Sequence, residues 1–113
     1  MSLSDLMCKP PQAGDAPLSL EQAEQMRRET RDWSLEGGGI TREFRFKNFG
    51  HAMAFVNDVA KAAQEQNHHP DIFISYKTVR FTFKTHKIGG LSKNDFIMAA
   101  KIDRLLTRSP TTE

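Results

Sequence analysis

Apolar and polar residues alternate in two segments of the chain, residues 40–47 and 79–85, and this alternation predicts two half-buried β-strands. Their apolar faces consist of Ile40, Phe44 and Phe46 in the first segment and of Val79, Phe81 and Phe83 in the second. Arg42 is the one polar residue on the apolar face of the first strand. Two shorter candidate strands, residues 33–35 and 72–76, precede these segments along the chain. The pattern therefore predicts two pairs of strands.

Three further segments carry the signals of amphipathic helices. Ser19, Asn48 and Ser92 are predicted N-caps, and a Gln or Asp three residues after each serine completes a capping box. In the second helix the apolar residues recur at intervals of three and four and form one stripe, consisting of Ala52, Phe55, Val56, Val59, Ala60 and Ala63. Pro70 ends this helix, because the residue before a proline avoids the helical conformation.

The predicted order of elements is α-β-β-α-β-β-α, which indicates an α+β fold. Short connections, among them Gly37–Gly39, join the strands of each pair and imply a four-stranded antiparallel sheet with three helices on one face. Residues 1–17 contain several Pro and Gly residues and are predicted to form a flexible N-terminal tail. Residues 18–107 form the predicted domain, and residues 108–113 a C-terminal tail.

Composition narrows the classes of function. The 113 residues, 38% of them hydrophobic and eight of them Phe, can bury one modest core. The net charge of +2 is small and the charged residues are interspersed, so no basic stripe for nucleic acid is visible. No apolar run approaches the ~18 residues of a membrane span, and residues 1–7 lack the features of a signal peptide. Cys8 is the only cysteine, so no intramolecular disulfide can form. It lies in the predicted tail and is expected to be an exposed thiol. The expected location is cytoplasmic.

Histidine provides the candidate chemistry. His68 and His69 lie at a predicted helix end, and His86 lies at the end of the last predicted strand. Histidine has an unperturbed pKa of ~6.5, so it can exchange protons in both directions near neutral pH. A histidine at a helix C-terminus also commonly caps free carbonyl groups, and this structural role is the alternative for the first two. His51 stands alone near the start of a helix and is expected to face solvent.

A zinc site formed by three histidines and a water molecule is a competing interpretation. The adjacent pair His68 and His69 is an awkward chelate, because neighbouring residues on a helix diverge. The motif HExxH, which places two histidines on one face of a helix, is missing from the sequence. Proton transfer is therefore favoured over metal binding, and no metal site is predicted.

The histidines belong to a longer pattern, which consists of Gln64, Asn67-His68-His69-Pro70, Tyr76, Thr85-His86, Gly90-Leu91-Ser92 and Asp95. With these residues the chain resembles the pterin-4a-carbinolamine dehydratases. The pattern of that family places an ionisable residue four before a His-His-Pro, followed by an aromatic residue, a third histidine and an aspartate at set intervals. The resemblance covers about residues 18–107, and the predicted order of elements agrees with the fold of that family.

The resemblance implies a dehydratase that removes water from 4a-hydroxytetrahydropterin to give quinonoid dihydropterin, in the recycling of tetrahydrobiopterin. It implies proton transfer by His68 and His86, with His69 in binding or in a supporting proton role. The implied substrate-binding residues are Gln64, Asn67, Pro70, Thr85 and Asp95. The pterin is the substrate, so no separate cofactor is implied. The expected assembly is a homodimer or homotetramer that binds neither nucleic acid nor membrane.

Three departures from the family pattern leave a second function open. Gln64 replaces the usual Glu, Asn67 replaces a common Asp, and Ile72 stands where many members have Trp. The first two changes remove negative charge near the histidines, and the third removes an aromatic wall. The alternative is a catalytically weak module of the same fold that binds a pterin or a protein partner, as a dimerisation or assembly cofactor. Gln64 lies four residues before His68, so these two side chains are predicted neighbours if the helix persists to His68.

Overall fold

The computed structural model describes residues 2–107, and the predicted C-terminal tail of residues 108–113 lies outside this range. The regular elements are α1 (Leu20–Arg27), β1 (Ser34–Glu36), β2 (Gly39–Arg45), α2 (Phe49–Gln66), β3 (Asp71–Ser75), β4 (Thr78–Phe83) and α3 (Lys93–Thr107). Single 3-10 turns, Leu3–Asp5 and His86–Ile88, precede α1 and follow β4. This order confirms the predicted α-β-β-α-β-β-α succession. No helix between residues 2 and 107 is long and apolar enough to cross a membrane.

The four strands form one antiparallel sheet in the order β1-β2-β4-β3. The β1–β2 hairpin turns at Gly37 and Gly38, whose positive φ angles of 58° and 80° suit glycine. Residues directly opposite each other share a face of the sheet, so the pairing of β2 with β4 places the two predicted apolar faces on the same side. The opposite pairs include Ile40 with Phe83 and Phe44 with Val79. β3 forms one edge of the sheet, and all of its residues are exposed.

The hydrophobic core lies between the helices and the apolar face of the sheet. The predicted stripe of α2 is buried except for Ala60, which is exposed. Aromatic rings connect this helix to β2 and its following residue, since the Phe55 centroid lies 5.3 Å from that of Phe44 and 5.2 Å from that of Phe46. Complete burial of one such side chain stabilises the folded state by ~1.5–3 kcal/mol. This packing fixes the position of α2, whose C-terminal end carries two of the histidines.

Arg42, the polar residue on the apolar face of β2, has an ion-pair partner on α3. Its Nη1 donates to Asp103 Oδ1 at 2.7 Å, and the same oxygen accepts a hydrogen bond from Trp33 Nε1 at 2.8 Å. The guanidinium carbon lies 4.4 Å from the centroid of the Phe44 ring. Burial raises the pKa of Asp103 above its usual value, although the bonds from Trp33 and Arg42 act in the opposite direction. These contacts connect the sheet to the C-terminal half of α3.

Residues 2–9 differ from the loose tail expected from the sequence, because Leu3, Leu6 and Cys8 pack against the domain, whereas Met7 is exposed. Leu3 is buried, and Leu6 is partly buried against the core. Asp5 forms an ion pair with Arg104 of α3 at 3.0 Å, and the bonds from Ser2 and Arg104 lower the pKa of its carboxyl group. Cys8 is half-buried rather than exposed, and burial raises the pKa of its thiol from 9.0 to about 11.

Candidate active site

The end of α2 determines where the two adjacent histidines lie. Asn67 adopts the left-handed conformation, with φ 51° and ψ 42°, which asparagine tolerates better than most other residues with a Cβ atom. The Asn67 N–H donates to the Gln64 carbonyl at 3.3 Å, and the His68 N–H donates to the Ala63 carbonyl at 3.2 Å. These two bonds form a Schellman motif, which satisfies helix-end carbonyls and reverses the direction of the chain. The residues after Asn67 therefore do not continue the helical spacing.

His68 is directed into the protein and pairs with Asp95 of α3. The His68 Nε2 and Asp95 Oδ1 atoms lie 2.6 Å apart, the His68 side chain is 9% exposed and the Asp95 side chain is fully buried. The imidazole stacks on the Phe83 ring, with centroids 5.8 Å apart and planes inclined by 10°. A carboxylate oxygen accepts hydrogen bonds, so Nε2 carries the proton, and the neutral ring has its lone pair at Nδ1. This pair therefore sets the tautomer of a histidine.

The second oxygen of Asp95 is bound by the start of α3 and by the residue before the third histidine. Asp95 Oδ2 accepts hydrogen bonds from the Ser92 N–H at 2.9 Å and from Thr85 Oγ1 at 2.8 Å. The first of these bonds is half of the predicted capping box. The Ser92 hydroxyl bonds Thr85 Oγ1 at 2.7 Å instead of completing that box. One carboxylate thus caps α3 and orients His68 at the same time.

His69 lies on the outside of the helix end and contacts Gln64, the residue that was predicted to be a neighbour of His68. The His69 Nε2 and Gln64 Oε1 atoms lie 2.6 Å apart, and both residues are exposed. The predicted proximity of Gln64 and His68 required a helix that continues to His68, but α2 ends at Gln66 and the left-handed turn at Asn67 separates the two residues. The Gln64 side-chain oxygen can only accept, so His69 Nε2 is the donor in this bond.

His86 begins the 3-10 turn after β4 and is exposed. β3 and β4 are antiparallel, and Asp71 at the start of β3 lies opposite Thr82 near the end of β4. The residues just before β3, which include His68 and His69, therefore lie at the same end of the sheet as His86. The structure brings the three predicted catalytic histidines to this end, one of them buried and two of them at the surface.

The five predicted substrate-binding residues divide into two groups. Gln64 and Asn67 are exposed and Pro70 is half-buried around the helix end, whereas Thr85 and Asp95 are buried beside His68. Within residues 2–107, no group of three or more His, Cys, Asp or Glu side chains is arranged to hold a metal ion. A cavity of about 460 Å³ opens next to Ser92, between residues 6–18 and the start of α3, and none of the three histidines lines it.

Two supporting residues were not predicted as part of the site. Phe83 is predicted only as a core residue, but its ring also stacks on the imidazole of His68. Ser92 is predicted as a helix cap and belongs to the family pattern, without a role in the site, but it bonds both Thr85 and Asp95. The position of Ser92 three residues before Asp95 was the sequence signal for its bond with Asp95. The stacking of Phe83 on His68 depends on strand register, for which the local sequence offers no signal.

Comparison with known proteins identifies the family. Residues 16–105 match the family model described as pterin 4 alpha carbinolamine dehydratase. A protein of Halorhodospira halophila is 48% identical over 107 residues, which cover 93% of this chain and 98% of that protein. A protein of Nitrosomonas eutropha is 47% identical over 105 residues, which cover 92% of this chain and 93% of that protein. Both carry the name pterin-4-alpha-carbinolamine dehydratase as a provisional assignment.

The fold is also similar to that of a solved structure. A crystal structure of a transcriptional coactivator/pterin dehydratase from Brucella melitensis matches with a TM-score of 0.75 and 32% sequence identity. The match covers 79% of this chain and 97% of that chain. All the predicted site residues lie within the segment that the family model matches. This chain belongs to the pterin 4 alpha carbinolamine dehydratase family.

Proposed function

We propose that the protein catalyses the dehydration of 4a-hydroxytetrahydropterin to quinonoid dihydropterin and is therefore a hydro-lyase of tetrahydrobiopterin recycling. Family membership supports the proposal, and one observation carries it. His68 Nε2 donates its proton to Asp95 Oδ1, 2.6 Å away. This bond leaves Nδ1 of His68 to exchange protons at the end of the sheet where the other two histidines lie. A histidine oriented by a carboxylate is a common arrangement for general acid–base catalysis.

The reaction requires two proton transfers. Loss of the C4a hydroxyl group as water needs a proton donor, and formation of the C=N bond needs a base that removes a proton from a ring nitrogen. His68 and His86 divide these two roles, and each role typically contributes ~10²–10⁴-fold to the rate. His69 binds the pterin or supports proton transfer. Dehydration transfers no electrons, so the reaction needs no redox cofactor, and the pterin enters only as substrate.

The exposed residues of the helix end form the proposed binding surface for the pterin. The side-chain amides of Gln64 and Asn67 can donate and accept hydrogen bonds, as the polar edge of a pterin ring requires. Pro70 contributes a rigid apolar contact beside them. Thr85 and Asp95 act through His68 in this proposal, because both are buried and bonded to each other. Cytoplasmic location stays a prediction from the sequence.

A dehydration assay with the purified protein and 4a-hydroxytetrahydropterin tests the proposal. We expect His68→Ala and His86→Ala each to lower kcat by ~10²-fold or more. His51→Ala is the matched control, because it makes the same change at the opposite end of α2 and should leave the rate unchanged. Fluorescence of the single tryptophan, Trp33, reports folding of each variant. If all three variants were as active as the native protein, the assignment of His68 and His86 to proton transfer would be refuted.

We also propose that the chain forms a homodimer or homotetramer through the edge of β3. This strand has one unpaired edge, and large apolar side chains are exposed along it and in the following turn: Ile72, Phe73, Ile74 and Tyr76. An exposed apolar edge strand invites pairing with a second chain. Light scattering at tens of micromolar should report a dimer or tetramer, and Phe73→Lys should shift the population towards monomer. A monomeric native protein would refute this proposal.

Two observations favour a second candidate function. The solved structure from Brucella melitensis is described as a transcriptional coactivator as well as a pterin dehydratase, and Gln64 provides no negative charge beside the exposed His69. The chain would then be a catalytically weak module that binds a pterin or a protein partner. Pterin binding in a titration, together with no dehydration above the uncatalysed rate, would favour this candidate over the enzyme.

A further inference from the structure

A second group of contacts adjoins the His68–Asp95 pair and involves residues that precede α1. Residues 3–9, which we call the N-terminal strap, pack against α3 through the buried Leu3 and the partly buried Leu6 and Cys8. The strap lies outside the segment of residues 16–105 that the family model matches. It therefore carries contacts that the family pattern does not describe.

Two consecutive backbone N–H groups of the strap bind the two helices that carry the pair. The Cys8 N–H donates to Gln66 Oε1 at 2.8 Å, and the Lys9 N–H donates to Asn94 Oδ1 at 2.9 Å. Gln66 is the last residue of α2, two residues before His68. Asn94 directly precedes Asp95 in the first turn of α3. The strap thus connects the end of α2, beside His68, to the start of α3, beside Asp95.

Asn94 depends on the strap for both of its polar atoms. In addition to the bond at Oδ1, Asn94 Nδ2 donates to the Lys9 carbonyl at 2.6 Å, and the residue is only 7% exposed. A buried amide destabilises the protein unless its donors and acceptors are paired. Residues 94–100 of α3 are all buried, whereas a helix that packs only on a sheet keeps one polar face in solvent. The strap, together with α1 and α2, therefore covers the sides of α3 that would otherwise face solvent.

We propose that the N-terminal strap is a positioning element that holds the His68–Asp95 pair in its short hydrogen bond. The strap acts through Gln66 and Asn94, each within two residues of a member of the pair, and its hydrogen bonds near the pair go to these two residues. Displacement of a catalytic group by ~1 Å can cost ~10²-fold in rate, so loss of either connection reduces proton transfer by His68. The kinetic part of this inference rests on the proposed function, and the structural part does not.

Gln66→Leu and Asn94→Leu each remove one connection while preserving side-chain size. Gln66→Glu is the conservative variant, because it keeps an oxygen that can accept the Cys8 N–H. Arg104→Ala on α3 is the matched control, since it removes contacts with Ser4 and Asp5 of the strap away from the pair. The half-buried thiol of Cys8 reports whether the strap is in place, through its rate of reaction with a disulfide reagent at pH 8. The nitrogen-15 chemical shifts of the His68 ring report the state of the pair.

We expect both Leu variants to raise the thiol reaction rate, by up to ~100-fold if the thiol returns to an ordinary pKa. In the same variants the His68 Nε2–H signal should shift and exchange faster with solvent, and kcat should fall by ~10-fold or more with little change in KM. Gln66→Glu and Arg104→Ala should keep the native ring signal and the native kcat.

The thiol rate, the ring signal and the kinetics separate the possible failures. A faster thiol reaction with an unchanged His68 signal would show that the strap only covers α3, and would overturn the proposal. An unchanged thiol rate would show that these bonds do not hold the strap, which also overturns it. If Trp33 fluorescence shows that Asn94→Leu does not fold, Gln66→Leu still tests the proposal, because Gln66 is only half-buried and its replacement is expected to be tolerated. If no variant or native protein has dehydratase activity, the proposed function fails while the thiol and ring signals still test the strap.

Discussion

Replacement of Asp95 by Asn should reverse the tautomer of His68. The fixed donor at this site is the Ser92 N–H, which points at Asp95 Oδ2 from 2.9 Å. In Asp95→Asn the side-chain oxygen must therefore remain on that side, and the NH2 group must face His68. An NH2 group donates, so His68 Nε2 has to accept and the ring proton moves to Nδ1. Nδ1, which has a free lone pair in the native protein, then carries a proton and can no longer act as a base.

The size of the effect follows from the bonds that change. Three hydrogen bonds to a charged acceptor become bonds to a neutral amide, and each loses ~1 kcal/mol. Relief of burying the Asp95 charge offsets part of this loss, so we expect the free energy of unfolding to fall by ~1–2 kcal/mol. The effect on kcat should be larger, at ~10²–10⁴-fold, because the wrong tautomer removes the proton-transfer role of His68. Activity should thus fall far more than stability.

Nitrogen-15 spectra of the His68 ring, kcat measurements and Trp33 fluorescence during denaturation together test this reasoning. Asp103→Asn is the matched control, because it makes the same substitution two turns further along α3 and should leave the His68 tautomer and kcat unchanged. An Asp95→Asn variant that retains Nε2–H, or that retains native kcat with the tautomer reversed, would refute the assignment of Nδ1 as the proton-exchanging atom.

Three further outcomes follow from the contacts already described. Burial raises the pKa of Asp103, so the folded state binds this proton more tightly than the unfolded state. The free energy of unfolding should therefore fall as pH rises from 3.8 through the folded-state pKa. Asp103→Asn should flatten this part of a pH-dependent denaturation series. Asn67→Ala should lower the free energy of unfolding by ~1 kcal/mol, while Asn67→Gly should preserve or raise it, because only the second suits the left-handed conformation. The thiol of Cys8, with its pKa of about 11, should react at pH 8 ~100-fold more slowly than a free thiol, and equal rates before and after denaturation in urea would contradict its burial.

Local pattern was sufficient to predict every regular element between residues 18 and 107. Alternation defined β2 and β4, the intervals of three and four defined α2, and the capping residues Ser19 and Asn48 marked the starts of two helices where the structure has them. These features depend on backbone geometry and on neighbours within one or two turns, so the sequence alone carries them. The spacing of the three histidines and Asp95 was likewise sufficient to indicate the family, which the comparisons confirm.

Tertiary structure decided which side chains meet. The left-handed residue Asn67 separates His68 from Gln64, so helical spacing gave the wrong neighbour, and His68 instead pairs with Asp95, 27 positions away. Apolar residues of the N-terminal strap pack on α3, although composition indicated a loose tail. Pro and Gly content describes the local backbone of this segment and carries no information about an exposed apolar surface on α3. Contacts of this kind depend on the relative placement of distant elements, which the long-range packing of the whole domain sets and no short segment encodes.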